Sequence, residues 1–186
     1  MYKDKTLSQY LDDLSAKLPA PGGGSASAMA AALGAALLSM VVNFTLGKPK
    51  YAMHEKELSA VLQDSERLRG EFLRLVDDDV AAYSSKDIQR SIDVPLAICR
   101  LSHDAARLCP AICQKGNVNL ISDVAVAAVF FESAFSAARV NVEVNLLMLN
   151  DRKLVKAVNT ELAVTAKSVA KIRATVEKKV RKILNQ

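Results

Sequence analysis

Apolar side chains recur every three to four positions along most of the chain, the spacing of helices with one buried face. Over residues 6–18, Leu7, Tyr10, Leu11, Leu14 and Leu18 share such a face, and Thr6 with Gln9 has capping-box spacing. Pro19 and Pro21 stop this helix before a triple-glycine loop. A second helix, about 25–46, is apolar on nearly all sides and ends at Gly47, Lys48 and Pro49. A third runs from about Met53 to Ser85, with Leu58, Val61, Leu62, Leu68, Leu75 and Val76 at helical intervals. Pro95 suits the first turn of a fourth, which reaches toward Gln114 with a bend at Pro110. A fifth is expected over 122–149, and a last, basic and amphipathic one over 152–184. No internal repeat or linker interrupts the series, so one all-α domain over 1–186, a helical bundle around a buried Ala-rich central helix, is expected.

Composition sharpens this picture. Hydrophobic residues reach 51% while aromatics are 5% and tryptophan is absent, which disfavours a sheet protein. Small residues at Ala28, Ala31, Ala32, Gly34 and Ala35 let helix backbones approach closely. The second helix is long enough for a membrane span. Its alanine-rich middle gains little in lipid, however, and it lacks an aromatic belt, so it reads as a buried helix. The net charge of +5 lies largely in the last helix, whose period is that of a packed helix without interleaved aromatics, so no nucleic acid is expected. The polar start MYKDKTLSQY has no signal-peptide pattern, and three cysteines fit reduced thiols, so a cytoplasmic protein is expected. Cys99/His103 and Cys109/Cys113 are each spaced four apart, but Pro110 breaks the register between them, and no metal is expected.

Three places carry candidate chemistry. Gly22, Gly23, Gly24 and Ser25 lead into the second helix, whose unpaired N–H groups and positive dipole end make a cradle for an anion or polar heterocycle. Asp77, Asp78 and Asp79 crowd one helical turn, so repulsion should raise at least one pKa. The alternative is a solvated acidic patch pairing with Arg74. Asn141 and Asn145 lie in an otherwise apolar helix, as interhelical hydrogen bonds or pocket donors.

The segments PGGGSASAMAAALGAAL, TLGKPKY, LVDDDVAAY, VPLAI, KGNVNLISDVAVAA and NVEVNL follow one another in the order typical of one family. The chain resembles the formiminotetrahydrofolate cyclodeaminase/methenyltetrahydrofolate cyclohydrolase family over roughly residues 6–180. The resemblance implies a dimeric all-α enzyme of the cytosol that acts on one-carbon units carried by tetrahydrofolate, with no metal and no other cofactor. The reaction would be hydrolysis of 5,10-methenyltetrahydrofolate, or cyclisation of 5-formiminotetrahydrofolate with loss of ammonia; a chain without a transferase half tilts the expectation toward hydrolysis. Asp79 matches the aspartate that the resemblance assigns to proton transfer, and Asp77 is the next candidate. Asn117, Ser122 and Asp123 would meet the pterin, although Ser122 or Asn119 as helix cap, with Asp123 in the first turn, accounts for them equally well. Lys48, Lys50 and Tyr51 would take the glutamate tail, with dipole compensation as the alternative for Lys48. The segment between Tyr83 and Val94 is shorter than is usual in the family, which leaves a non-catalytic folate- or partner-binding protein of the same fold as the alternative.

Overall fold

Thr6 opens the first helix as its spacing predicts: its Oγ1 accepts from the Gln9 N–H at 3.2 Å while Gln9 Oε1 accepts from the Thr6 N–H at 3.0 Å. The structure, a computed structural model that describes residues 1–185, is all-helical among those residues. Helix α1 (Leu7–Ser15) stops short of Leu18. Of its expected apolar face only Tyr10 is buried, while Leu7, Leu11 and Leu18 are exposed. It is a peripheral helix pinned mainly by one aromatic ring.

Helix α2 (Gly23–Asn43) begins two residues earlier than expected, so Gly23 and Gly24 belong to its first turn rather than to a loop. It packs against α3 (Glu55–Ser85) and antiparallel to α6 (Ile121–Leu146), Gly23 facing Asn141 and Gly34 facing Phe131. Ala28, Ala31, Leu38, Val41 and Val42 of α2 are enclosed together with Phe72, Phe131 and Phe135. A Cβ at Gly34 would come within 2.8 Å of the Phe131 ring, so this glycine sets how closely α2 and α6 approach. By length and composition, α2 and the segment 118–146 are each apolar enough to cross a membrane.

The fourth helix corrects the sequence reading. Helix α4 runs Ile88–Ala106 and places Pro95 in its interior, not in its first turn. Asp87 caps the true start, its carboxylate accepting from the Arg90 N–H at 3.1 Å. Proline removes the bond to the carbonyl four residues back, here Ser91. The Asn145 side chain supplies the missing donor, Nδ2 to the Ser91 carbonyl at 2.6 Å. The expected bend at Pro110 is a break: α5 (Cys109–Lys115) is a separate short helix with Pro110 in its first turn. Between α3 and α4 only Lys86 and Asp87 intervene, and Lys86 takes the left-handed conformation at φ 57°. Helix α7 (Arg152–Leu184) matches its expected span, with Asp151 accepting from the Lys153 and Leu154 N–H groups.

Candidate active site at the start of α2

Consecutive helical residues point about 100° apart, and the three aspartates of α3 therefore face three ways. Asp78 projects outward to an exposed ion pair with Arg74, 2.5 Å away. Asp77 turns to the N-terminal segment: one oxygen accepts from the Tyr2 N–H, and the other is buried without a partner among the described residues. Asp79 turns to α2. Its Oδ2 accepts from the Ser25 N–H at 2.8 Å, so α3 caps a helix whose own N-cap, Gly22, has no side chain to offer. The Asp79 carboxyl titrates above the ordinary carboxylate range because burial penalises its charge, an effect that the Ser25 N–H partly offsets. Burial, not the repulsion expected from the sequence, is the cause.

Gly24 makes this contact possible. A Cβ on Gly24 would lie 2.0 Å from Asp79 Oδ1 and 2.6 Å from its Cγ. At Gly23 the nearest atom would be Asn141 Nδ2, at an ordinary 3.4 Å, and at Gly22 nothing comes within 4 Å. Ser25 contributes its N–H to Asp79, while its buried hydroxyl faces the Tyr10 hydroxyl at 3.2 Å. Tyr10 in turn is pushed above its usual range by burial first, with the Asp79 charge adding.

A cleft of about 250 Å³ opens over this junction. Pro19, Ala20 and the three glycines form one wall; Asp79, Ala82 and Tyr83 come from α3, Ser91 from α4, and Asn141 and Asn145 from α6. The sequence reading left the two asparagines between interhelical bonding and pocket; Asn145 does both, whereas Asn141 Nδ2 donates to the Ala137 carbonyl of its own helix at 3.0 Å. Both are half-buried rather than buried. Ser91 and Tyr83 were missed. The signal for Ser91 was its place four residues before Pro95.

The remaining expected residues lie at the other end of α2, about 30 Å away given its 21 residues. There Asn117 ties the end of α2 to the start of α6. Its N–H donates to Thr45 Oγ1 at 2.9 Å, its Nδ2 to the Phe44 carbonyl at 3.3 Å, and its Oδ1 accepts from the Asn119 N–H at 3.2 Å. The Tyr51 hydroxyl accepts from the Val118 N–H and lies 3.5 Å from Asn117 Oδ1. Lys48 and Ser122 are exposed and Asp123 is half-buried nearby in the chain. Neither Ser122 nor Asn119 caps α6: its N-cap is Leu120, without a side-chain bond. One chain therefore does not bring Lys48, Tyr51, Asn117, Ser122 and Asp123 together with Asp79 and the glycines.

The thiols are packing residues. Cys99, Cys109 and Cys113 are free and buried, and burial pushes Cys99 up to about 12. His103 Nε2 meets Ser168 Oγ at 2.9 Å. No group of three or more His, Cys, Asp or Glu side chains gathers among the described residues.

Comparison with known proteins adds to this geometry. The chain matches the formiminotransferase-cyclodeaminase family over residues 6–87 and 84–164, two pieces that meet in the α3–α4 connection. It is 36% identical to the methenyltetrahydrofolate cyclohydrolase of Methylorubrum extorquens over 175 residues, covering 82% of this chain and 84% of that protein. It is 28% identical to the formimidoyltransferase-cyclodeaminase of Rattus norvegicus, covering 80% of this chain but only 32% of that longer protein. The crystal structure of a formiminotetrahydrofolate cyclodeaminase from Thermotoga maritima superposes with a TM-score of 0.93 at 26% identity, covering 99% of this chain and all of that one.

Proposed function

The chain belongs to the formiminotransferase-cyclodeaminase family, and from that premise we propose that it is a one-carbon folate enzyme that hydrolyses 5,10-methenyltetrahydrofolate. The observation that carries this is Asp79: a half-buried carboxylate with one oxygen fixed by the Ser25 N–H and its proton affinity raised by burial, on the wall of a cleft. The methenyl bridge is an amidinium-type cation, which an ionised carboxylate attracts. Asp79 takes a proton from water as the oxygen bonds to the bridging carbon. It then returns that proton to the nitrogen whose bond to this carbon breaks, while the remaining hydroxyl proton passes to solvent, leaving a formyl group on the other nitrogen. The likeness to the Methylorubrum cyclohydrolase along nearly its whole length supports this reaction over the cyclodeaminase one. The Thermotoga structure favours the second reading, in which N10 attacks a 5-formimino carbon and Asp79 protonates departing ammonia.

A cleft of about 250 Å³ is below the roughly 300–1,000 Å³ of sites that enclose drug-sized ligands, so it takes part of a folate and leaves the rest outside. A homodimer answers this and the two-ended distribution of candidates. Leu33 of α2, Phe44 just after it, and Val126, Val129, Val140 and Val144 of α6 are exposed, and α2 carries no charged residue. Two copies paired on this face about an axis normal to α2 run their α2 helices antiparallel. The Lys48–Tyr51–Asp123 end of one protomer then approaches the Asp79 end of the other. In this reading Asp79 transfers the proton and Asp77 anchors the N-terminal segment. Gly22, Gly23, Gly24 and Ser25 cradle the pterin side, and Lys48 meets the tail. The protein works as one cytoplasmic domain with the Ala-rich helix at its centre. It uses no cofactor beyond tetrahydrofolate as carrier, and neither membrane nor nucleic acid is a partner.

The test is direct. Near-ultraviolet absorbance of the methenyl form falls as it is hydrolysed, with ammonia release from the formimino substrate as the parallel assay. Turnover of the first supports the proposal, and turnover of the second alone selects the other reaction. No turnover of either favours a non-catalytic folate- or partner-binding protein.

A further inference from the structure

The amide of Asn145 is oriented by a proline on another helix. Pro95 has no N–H, so the Ser91 carbonyl one turn earlier is left without its helical donor. Asn145 Nδ2 donates to that carbonyl at 2.6 Å, across 54 residues of sequence. A carbonyl only accepts, so the side chain has one orientation: its NH₂ group toward α4 and its Oδ1 left over. Asn141 is set in the same sense, since its Nδ2 donates to the Ala137 carbonyl. Among the described residues neither asparagine Oδ1 has a hydrogen-bond partner, and both side chains line the cleft with Asp79. The wall formed by Asp79, Asn141 and Asn145 therefore presents acceptors, opposite the glycine wall with its backbone N–H groups. Its complement is the edge of a planar heterocycle that presents several N–H groups together, as the amino-pyrimidine ring of a pterin does.

We propose that Asn145 orients the substrate by accepting an N–H of this ring, and that Pro95 is a positioning residue that keeps the Asn145 oxygen free to do so. This rests on the folate reading of the same cleft. Restoring an N–H at position 95 lets the backbone claim the Ser91 carbonyl, and the Asn145 amide is then free to rotate. Alanine is the better interior helix residue, which offsets part of the packing lost when the buried proline ring is removed.

The experiment is a double-mutant cycle of Pro95→Ala and Asn145→Ala, reading kcat and KM for the methenyl substrate, far-ultraviolet circular dichroism, and the side-chain amide resonance of Asn145. Each single variant is expected to raise KM about 3- to 10-fold, the loss of one neutral hydrogen bond, with a smaller change in kcat. Adding Pro95→Ala to Asn145→Ala should raise KM no further, since no amide remains to be released. In substrate-free Pro95→Ala the Asn145 amide resonance should move, while the far-ultraviolet circular dichroism of the helices is retained. An active parent with Pro95→Ala at parental KM, multiplied effects in the double variant, or an unmoved resonance overturns the proposal and leaves the folate reading standing. A parent that neither binds nor turns over either folate overturns both.

Discussion

Gly24→Ala isolates the contact on which the site depends. In the first turn of α2 alanine should help, since glycine in a helix costs roughly 0.5–1 kcal/mol relative to alanine. The added methyl, however, would sit 2.0 Å from Asp79 Oδ1 and 2.9 Å from Oδ2, which no real contact tolerates. The Asp79 carboxylate is the mobile partner and must rotate away, breaking its 2.8 Å bond from the Ser25 N–H. A charge-assisted bond of this kind contributes roughly 1.5–3 kcal/mol. Set against the helix gain, the net destabilisation is about 0.5–2.5 kcal/mol, small enough for the protein to remain folded. Turnover should suffer far more, by about 10²–10⁴-fold, because the proton-transfer group has left its place. Gly23→Ala is the matched control: its methyl meets Asn141 Nδ2 at 3.4 Å, so it should keep the Asp79 geometry and gain a few tenths of a kcal/mol. Thermal denaturation and initial rates of methenyl hydrolysis on both variants decide the matter. Gly24→Ala turning over as fast as Gly23→Ala would refute the reasoning.

Asp79→Asn should reduce kcat by about 10²–10⁴-fold with folate binding retained, checked by initial rates and ligand-induced melting shifts. In the parent the acid limb of kcat/KM should fall at a pH above the ordinary carboxylate value of 3.8. Because folded Asp79 holds its proton to higher pH than the unfolded chain, its stabilising contribution is present at low pH and lost as pH rises through the folded pKa. Asp79→Asn should abolish that loss, so its stability relative to the parent grows across the same window in a denaturation series against pH. Asp77→Asn touches the Tyr2 N–H and not the cleft, so its rates should stay near parental while its melting temperature shifts. Gly34→Leu should cost roughly 1–3 kcal/mol or more by overpacking against the enclosed Phe131 ring, read by denaturant midpoint. Val129→Asp on the exposed face of α6 should convert a dimer to monomers in light scattering; an unchanged mass would remove this face from the interface.

Helices whose ends are marked by local chemistry were legible in the sequence. Thr6 with Gln9 marks its own terminus, and α7 spans the stretch that its basic, amphipathic pattern predicts. Helix α4 was not legible at its start, because Pro95 mimics a first-turn proline and its compensating donor lies 54 residues away on α6. Asp87, the actual cap, is a locally ordinary aspartate. The aspartate run was read as one electrostatic cluster, although helical rotation sends Asp77, Asp78 and Asp79 to different neighbours. Only the fold could show that Asp79 meets Ser25. The group around Asn117 was placed beside the pterin by resemblance alone; the fold adds that the Asn117 amide ties the end of α2 to the start of α6 through Thr45, Phe44 and Asn119, at the opposite end of α2 from Asp79 in the same chain.

The two-residue joint at Lys86 and Asp87 makes the breadth of the cleft mouth separable from the scaffold that supports it. Tyr83 and Ser91, one on each side of the joint, are cleft residues, and Lys86 and Asp87 between them are exposed, so the joint lies at the rim of the cleft and outside the core. The ends of α3 and α4 already stand side by side, and the entropy of closing a longer connection rises by only about 0.6 kcal/mol for each doubling of its length. Lys86 also holds a left-handed conformation that costs a lysine roughly 1–2 kcal/mol and that a longer connection would relieve. A graded series of insertions at this joint would therefore serve as a dial on substrate size at nearly constant stability, turning a short hinge into the most readily engineered element of the molecule.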